Sequence, residues 1–160
     1  WYGADLLVSV HAARLPDPTV SGLGVFAFAP DTADPVAGAV AKVENAVPAG
    51  RKRHDPDAGR ELFVRAVRRA ATTGLQRRGA AMAGRMVKAL PSKLPLAVRP
   101  LGLAPLNLLA TADTPAIFVE TGFLSNPGDA AVLAGAEARQ ALAQGLAQAV
   151  LAVAQPGDRP

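Results

Sequence analysis

The chain has 160 residues, half of them hydrophobic and 19% charged, with no cysteine and two histidines, His11 and His54. That is enough for one domain with a sizeable core, and it excludes a disordered or collagen-like chain, a disulfide framework and any thiolate metal site, so a metal here would rest on histidine and carboxylate. The net charge of +4 is local, because residues 51–88 hold eleven Lys/Arg against three acids while the remainder is acidic, and no apolar run reaches the ~18 residues that a membrane-spanning helix needs.

Trp1 to Asp5 run into an apolar strand pattern with no initiator Met, cationic leader or apolar signal segment, which reads as a fragment or a processed chain. Leu6 to Val10 (LLVSV) predicts a short buried strand ending at His11, with Leu7, Ser9 and His11 on one face and Leu6, Val8 and Val10 on the other. Residues 14–22 are dense in turn formers, and residues 24–29 offer a second strand. Asp34 followed by Pro35 predicts a helix start, continuing through Val40 and Val43 to about Ala46. Residues 48–59 read as an exposed charged loop. From Arg60 to about Leu90, Phe63, Val67, Ala70, Ala71, Leu75, Met82, Met86 and Leu90 recur at helical steps. This predicts a long amphipathic helix with Arg65, Arg68 and Arg69 in solvent, broken near Gly74 or Gly79.

Residues 91–103 read as a Pro-rich connection with a short strand around 96–98, and 106–109 as a further strand. Residues 116–119 (AIFV) form a clear strand pattern closed by Glu120, and Asn126-Pro-Gly-Asp129 has the form of a helix start, with Asn as N-cap and an acid at the third position. Helical stretches at 130–133 and 137–154 lead to a polar tail at 155–160. Alternation of strands and helices predicts an α/β fold, a mostly parallel or mixed central sheet flanked by helices, in a single unit spanning 1–154.

Two residues stand where chemistry is expected. His11 and Glu120 each end an apolar strand just before a loop, and in open α/β sheets that edge is where ligands bind. A lone histidine there is equally read as a hydrogen-bonded structural residue. A carboxylate ending a buried strand needs a cation, a metal or a proton. The basic stretch 51–88 could attract nucleic acid or an acidic polymer, but it contains a single aromatic residue, Phe63, and reads as a solvated helix face.

Asp5 to Ala12 (DLLVSVHA) resembles the strand ending in Ser-hydrophobic-His-Ala of the zinc-dependent N-acetylmuramoyl-L-alanine amidases of the Amidase_3 type, and Pro115 to Pro127 (PAIFVETGFLSNP) resembles their long signature segment. Glu44-Asn45 falls where such proteins often carry a Glu-Asn pair, and Leu108-Leu109 where they carry a Val-Leu strand, so the resemblance spans residues 4 to about 154. It implies a Zn2+ cofactor with His11 as a ligand, Glu120 as the catalytic carboxylate, and hydrolysis of the amide joining N-acetylmuramic acid to L-alanine of the peptidoglycan stem peptide, in cell-wall remodelling or daughter-cell separation. It also implies peptidoglycan as partner, no nucleic acid, no membrane span, a regulatory protein partner left open, and a place outside the cytoplasm, in the periplasm or cell wall. The alternative is an amidase-like domain that holds peptidoglycan without cutting it.

By the same resemblance the other two zinc ligands, a His and a Glu, lie upstream of the strand matched by residues 5–11, together with a strand and helix of the fold. The 160 residues are therefore expected to bind zinc weakly or not at all, to be inactive alone, and to be poorly soluble or oligomeric through an uncovered sheet edge. His54 is the available substitute ligand, but Arg51, Lys52 and Arg53 beside it repel a dication. Ala13 and Ala110 depart from the polar and basic residues that commonly stand at these places. Of the remaining signature residues, Gly122 is expected in a conformation closed to a Cβ, Phe123 and Leu124 in the core, and Asn126 as a helix cap.

Overall fold

The computed structural model describes residues 4–46 and 58–154, with the backbone alone described over 58–71. Among the described residues, four strands and five helices follow in the order β1 (Leu7–His11), β2 (Gly24–Phe28), α1 (Pro35–Asn45), α2 (Ala58–Ala89), β3 (Gly102–Ala104), α3 (Asn107–Thr111), β4 (Ala116–Glu120), α4 (Pro127–Ala134) and α5 (Ala136–Val153). The α/β class is as expected and the sheet is mixed, in the order β1-β4-β2-β3. β1 and β4 are parallel, as are β2 and β3, whereas β2 runs antiparallel to β4. Connection length explains this. A parallel return needs a crossover, usually helical, and the loop between β1 and β2 contains no helix, so β2 comes back antiparallel and leaves β4 room between the two. β2 and β3 are joined through α1 and α2 and can therefore be parallel.

The sheet separates two apolar clusters. On one face Val25, Ala27, Ile117 and Val119 pack against Met82, Ala83, Met86 and Leu90 of the α2 end and Leu142, Ala149 and Val153 of α5. On the other, Phe26 and Phe118 pack against Ala37, Val40 and Ala41 of α1, Leu109 of α3, and Phe123. Side-chain alternation along each strand assigns the two sets. α1 begins as read: the Asp34 carboxylate accepts from the Val36 N–H at 2.9 Å and Pro35 occupies the first turn. α4 is capped by Asn126, whose Oδ1 accepts from Gly128 and Asp129 N–H.

Five expectations are corrected. Among the described residues β1 stands at the edge of the sheet, with Leu7 36% and Val10 56% exposed, where a buried strand was expected. α2 runs unbroken through both glycines, because Gly79 is a contact point, not a break: a Cβ there would lie 2.7 Å from the Ala116 carbonyl oxygen. The Pro-rich connection holds β3, and of the strand expected at 96–98 only a bridge between Val98 and Leu23 forms. Residues 106–109 are not a strand, since α3 starts at Asn107, whose N–H donates to Asn45 Oδ1 at 2.9 Å while the Asn45 amide donates to the Pro105 carbonyl at 2.8 Å. Leu124 is 38% exposed rather than core. The expected burial of Phe63, Val67, Ala70 and Ala71, the solvent placement of Arg65, Arg68 and Arg69, and the loop at 48–57 lie outside the described residues and side chains. Arg77, Arg78, Arg85 and Lys88, further along α2, are exposed.

The two glycines of α2 should respond oppositely to alanine. Nothing lies within 4 Å of a Cβ at Gly74, so Gly74→Ala is expected to stabilise by about 0.5–1 kcal/mol through helix propensity. Gly79→Ala must push α2 off the first residue of β4 and is expected to destabilise by about 1–3 kcal/mol. Urea unfolding of the two variants measures both.

Candidate active site

The register of β1 against β4 assembles the site. β1 and β4 align Leu7 with Ala116 through to His11 with Glu120, so the two residues singled out in the sequence are lateral partners on adjacent parallel strands and leave the sheet on the same face. Parity carries Ser9, His11, Phe118 and Glu120 to the face that α1 covers. The imidazole of His11 stacks on Phe118, ring centroids 4.3 Å apart. Ser9 Oγ lies 2.7 Å from His11 Nε2, and Glu44 Oε2, from the last turn of α1, lies 3.2 Å from His11 Nδ1. A carboxylate only accepts, so this contact suits the tautomer with the proton on Nδ1, in which Nε2 can accept from the Ser9 hydroxyl.

Glu120 is fully buried. Its Oε2 accepts from the Ala13 N–H at 2.9 Å, and its Oε1 has no hydrogen-bond partner among the described residues. Burial pushes its pKa up from the ordinary 4.5 to about 7; the Ala13 N–H opposes the shift, and the nearby Glu44 charge adds to it. A carboxyl whose pKa is raised toward neutrality, with one oxygen held and the other unpartnered, is suited to taking up and returning a proton.

The loops after β1 and β4 are stitched together above this pair. Thr121 N–H and Oγ both donate to the His11 carbonyl, at 2.9 and 2.8 Å, and Leu124 N–H donates to the Ala13 carbonyl at 2.8 Å. Leu15 N–H donates to Ser125 Oγ and the Asn126 amide to the Pro18 carbonyl. Gly122 makes the turn possible with φ 138°, where a Cβ would also meet the Leu96 side chain at 2.8 Å. Phe123 is buried and Asn126 is a cap, both as expected.

His11 and Glu120 are brought together. His54 lies outside the described residues. Glu44 was noted in the sequence only for its position, yet it reaches the imidazole. Ala37, Val40, Ala41 and Glu44 lie at helical spacing on one stripe of α1, and an acid on an otherwise buried apolar stripe is the signal that could have marked it. Asp129 was read only as the acid in the first turn of α4 and is instead buried.

The orphaned Oε1 of Glu120 is what a site lacking a cation or a proton would show. The donors, however, are too few for zinc. A catalytic zinc commonly takes three protein ligands, and among the described residues no group of three or more His, Cys, Asp or Glu could hold a metal ion. The described residues do not by themselves fit one.

The site is a buried carboxylate laterally paired with an imidazole at the ends of two parallel strands of a mixed α/β sheet. The chain belongs to the N-acetylmuramoyl-L-alanine amidase family Amidase_3, whose model matches residues 2–152. It is 28% identical over 153 residues to the N-acetylmuramoyl-L-alanine amidase AmiA of Escherichia coli K12, an alignment covering 94% of this chain and 52% of that protein. The chain thus spans about half the length of that relative. Its fold is similar to that of the catalytic domain of CwlV from Bacillus (Paenibacillus) polymyxa var. colistinus, with TM-score 0.55, 18% identity, and coverage of 92% of this chain and 56% of that one. It is similar too to the apo form of Ami1 from Mycobacterium abscessus, with TM-score 0.51, 20% identity, and coverage of 96% and 57%.

The raised Glu120 pKa sets a pH dependence of stability for the metal-free chain. The carboxyl ionises more readily unfolded than folded, so its contribution is complete below about 4.5 and is lost as pH rises through about 7. Stability measured with chelator present should therefore fall by the order of 3 kcal/mol across that interval, and Glu120→Gln should flatten the fall. An equal slope in both proteins would assign the titration to another group.

Proposed function

We propose that this chain carries part of the active site of a peptidoglycan amidase, an enzyme that hydrolyses the amide between N-acetylmuramic acid and L-alanine of the stem peptide outside the cytoplasm, in the periplasm or cell wall. The observation that carries the reading is the buried Glu120 carboxylate with its unpartnered Oε1, laterally paired with His11 in a chain of this family. Glu120 is the proton carrier. One proton of the attacking water passes to its carboxylate as oxygen adds to the carbonyl carbon, and the same proton passes to the departing nitrogen as the C–N bond breaks, leaving a carboxylic acid and a free amino terminus. The pKa near 7 allows both halves of that exchange at neutral pH. Ala13 N–H occupies Oε2 and so leaves Oε1 as the unpartnered oxygen.

Zinc is the proposed cofactor, with His11 as one ligand. One imidazole and one nearby carboxylate hold such an ion weakly, so the 160 residues alone are expected to retain little zinc and to release no peptide. A form extended upstream to supply a further His and Glu is expected to be active. Among the described residues, no helix is long and apolar enough to cross a membrane.

The test is release of new L-alanine amino termini from purified peptidoglycan by the extended form. Glu120→Gln keeps the shape and removes the base, and kcat is expected to fall about 10²- to 10⁴-fold with KM little changed. Wild-type turnover in that variant would remove Glu120 from the chemistry. Peptidoglycan binding without cleavage by the zinc-loaded parent would make this a holding domain instead.

A further inference from the structure

We propose that Asp129 is a positioning residue that aims the Glu120 carboxylate. The inference rests on the role proposed above for Glu120 and concerns a side chain that the reaction does not touch.

Asp129 is 3% exposed, and Asp129 and Glu120 are the two buried charged residues of the described structure. It is not needed as a cap, since Asn126 already accepts from the first N–H groups of α4. Nor does it reach back to the Asn126 N–H as the third residue of a capping box would, because that N–H donates to the Phe123 carbonyl. Its Oδ2 instead accepts two backbone N–H groups from separate loops, Gly22 at 2.8 Å and Phe123 at 2.8 Å. Gly22, at φ 98°, lies in the loop after β1, and Phe123 in the turn after β4.

A short run of bonds connects this clasp to the site. Phe123 is followed by Leu124, whose N–H donates to the Ala13 carbonyl at 2.8 Å. Ala13 N–H in turn donates to Glu120 Oε2 at 2.9 Å, the one hydrogen bond of that carboxylate. On the other side Gly22 leads into Gly24, the antiparallel partner of Glu120 itself. Asp129 thus holds, from both flanks, the backbone that decides which carboxylate oxygen is occupied and which stays open. Two charge-assisted bonds to one buried oxygen are strong enough to fix loop backbone in place.

Two measurements test this. In the active form, Asp129→Ala is expected to lower kcat by about ten- to a hundred-fold, as for a displaced reacting group, with KM within about two-fold and with Asp129→Asn, which keeps an acceptor oxygen but loses the charge, falling between Asp129→Ala and the parent. Val153→Ala, on the opposite side of the sheet, serves as a control for stability alone and should leave kcat unchanged at a comparable loss of thermal midpoint. Independently of activity, the Ala13 amide proton should resonate downfield in the wild-type chain, and Asp129→Asn and Glu120→Gln should both move it upfield. If Asp129→Ala costs no more kcat than Val153→Ala, or if the Ala13 amide does not move in Asp129→Asn, the positioning role is overturned. If Asp129→Ala does not fold, the amide measurement on Asp129→Asn decides. An inactive parent would sink the proposed function, and the amide measurement would still decide the role of Asp129.

Discussion

Burying the carboxylate of Glu120 at the end of β4 is a constraint that much of the surrounding structure answers to. An ionised carboxylate removed from water with one hydrogen bond is unfavourable by several kcal/mol, and the fold responds by raising its pKa rather than by pairing it. The alternative response is visible a few residues away. Asp129, equally enclosed, is given two backbone N–H donors on one oxygen. The same segment of chain therefore treats two buried acids differently, giving one two backbone donors and leaving the other with an unpartnered oxygen. Structural economy would saturate both, so the unsatisfied one is where function is to be sought.

Much of the element plan was legible because it depends on local chemistry. Asp34-Pro35 and Asn126-Pro127 start helices wherever the rest of the chain lies, since their side chains and fixed φ act within one turn. The strand ends at His11 and Glu120 were legible from period and punctuation, and their alignment followed once β1 and β4 paired in register. What was not legible came from contacts between distant segments. The apolar run 106–109 suits a strand or a helix equally well. Asn45, about 60 residues earlier in the chain, decides for helix by engaging the Asn107 N–H and the Pro105 carbonyl. Gly79 reads as a breaker until β4 is laid across it, and then it is the one residue small enough for the crossing.

Glu44 shows the same limit within the site. Its place on the inner stripe of α1 was available from spacing, but what it faces is set by where β1 lies under that helix. The Asn45 clamp fixes the end of α1 against the β3–α3 connection, and this brings Glu44 over the imidazole of His11. Once there it has two consequences. It sets an acceptor 3.2 Å from Nδ1 of His11, and its charge adds to the rise in the Glu120 pKa. A helix that contributes mainly Ala and Val to the core thus also tunes both groups of the site.

The two faces of the sheet divide the work accordingly. The face under α2 and α5 is closed by aliphatic and Met side chains and carries none of the site residues. The α1 face carries Phe26, Phe118 and Phe123 among its buried residues, and Phe118 is shared between core and site because the His11 ring lies on it. Flat, stiff rings supply both the packing and the apolar wall. That wall keeps water from Glu120, and water exclusion is the leading cause of its raised pKa. The proton chemistry proposed for Glu120 is therefore a property of the packing on this face, and enlarging or opening it would change the carboxyl before it changed the fold.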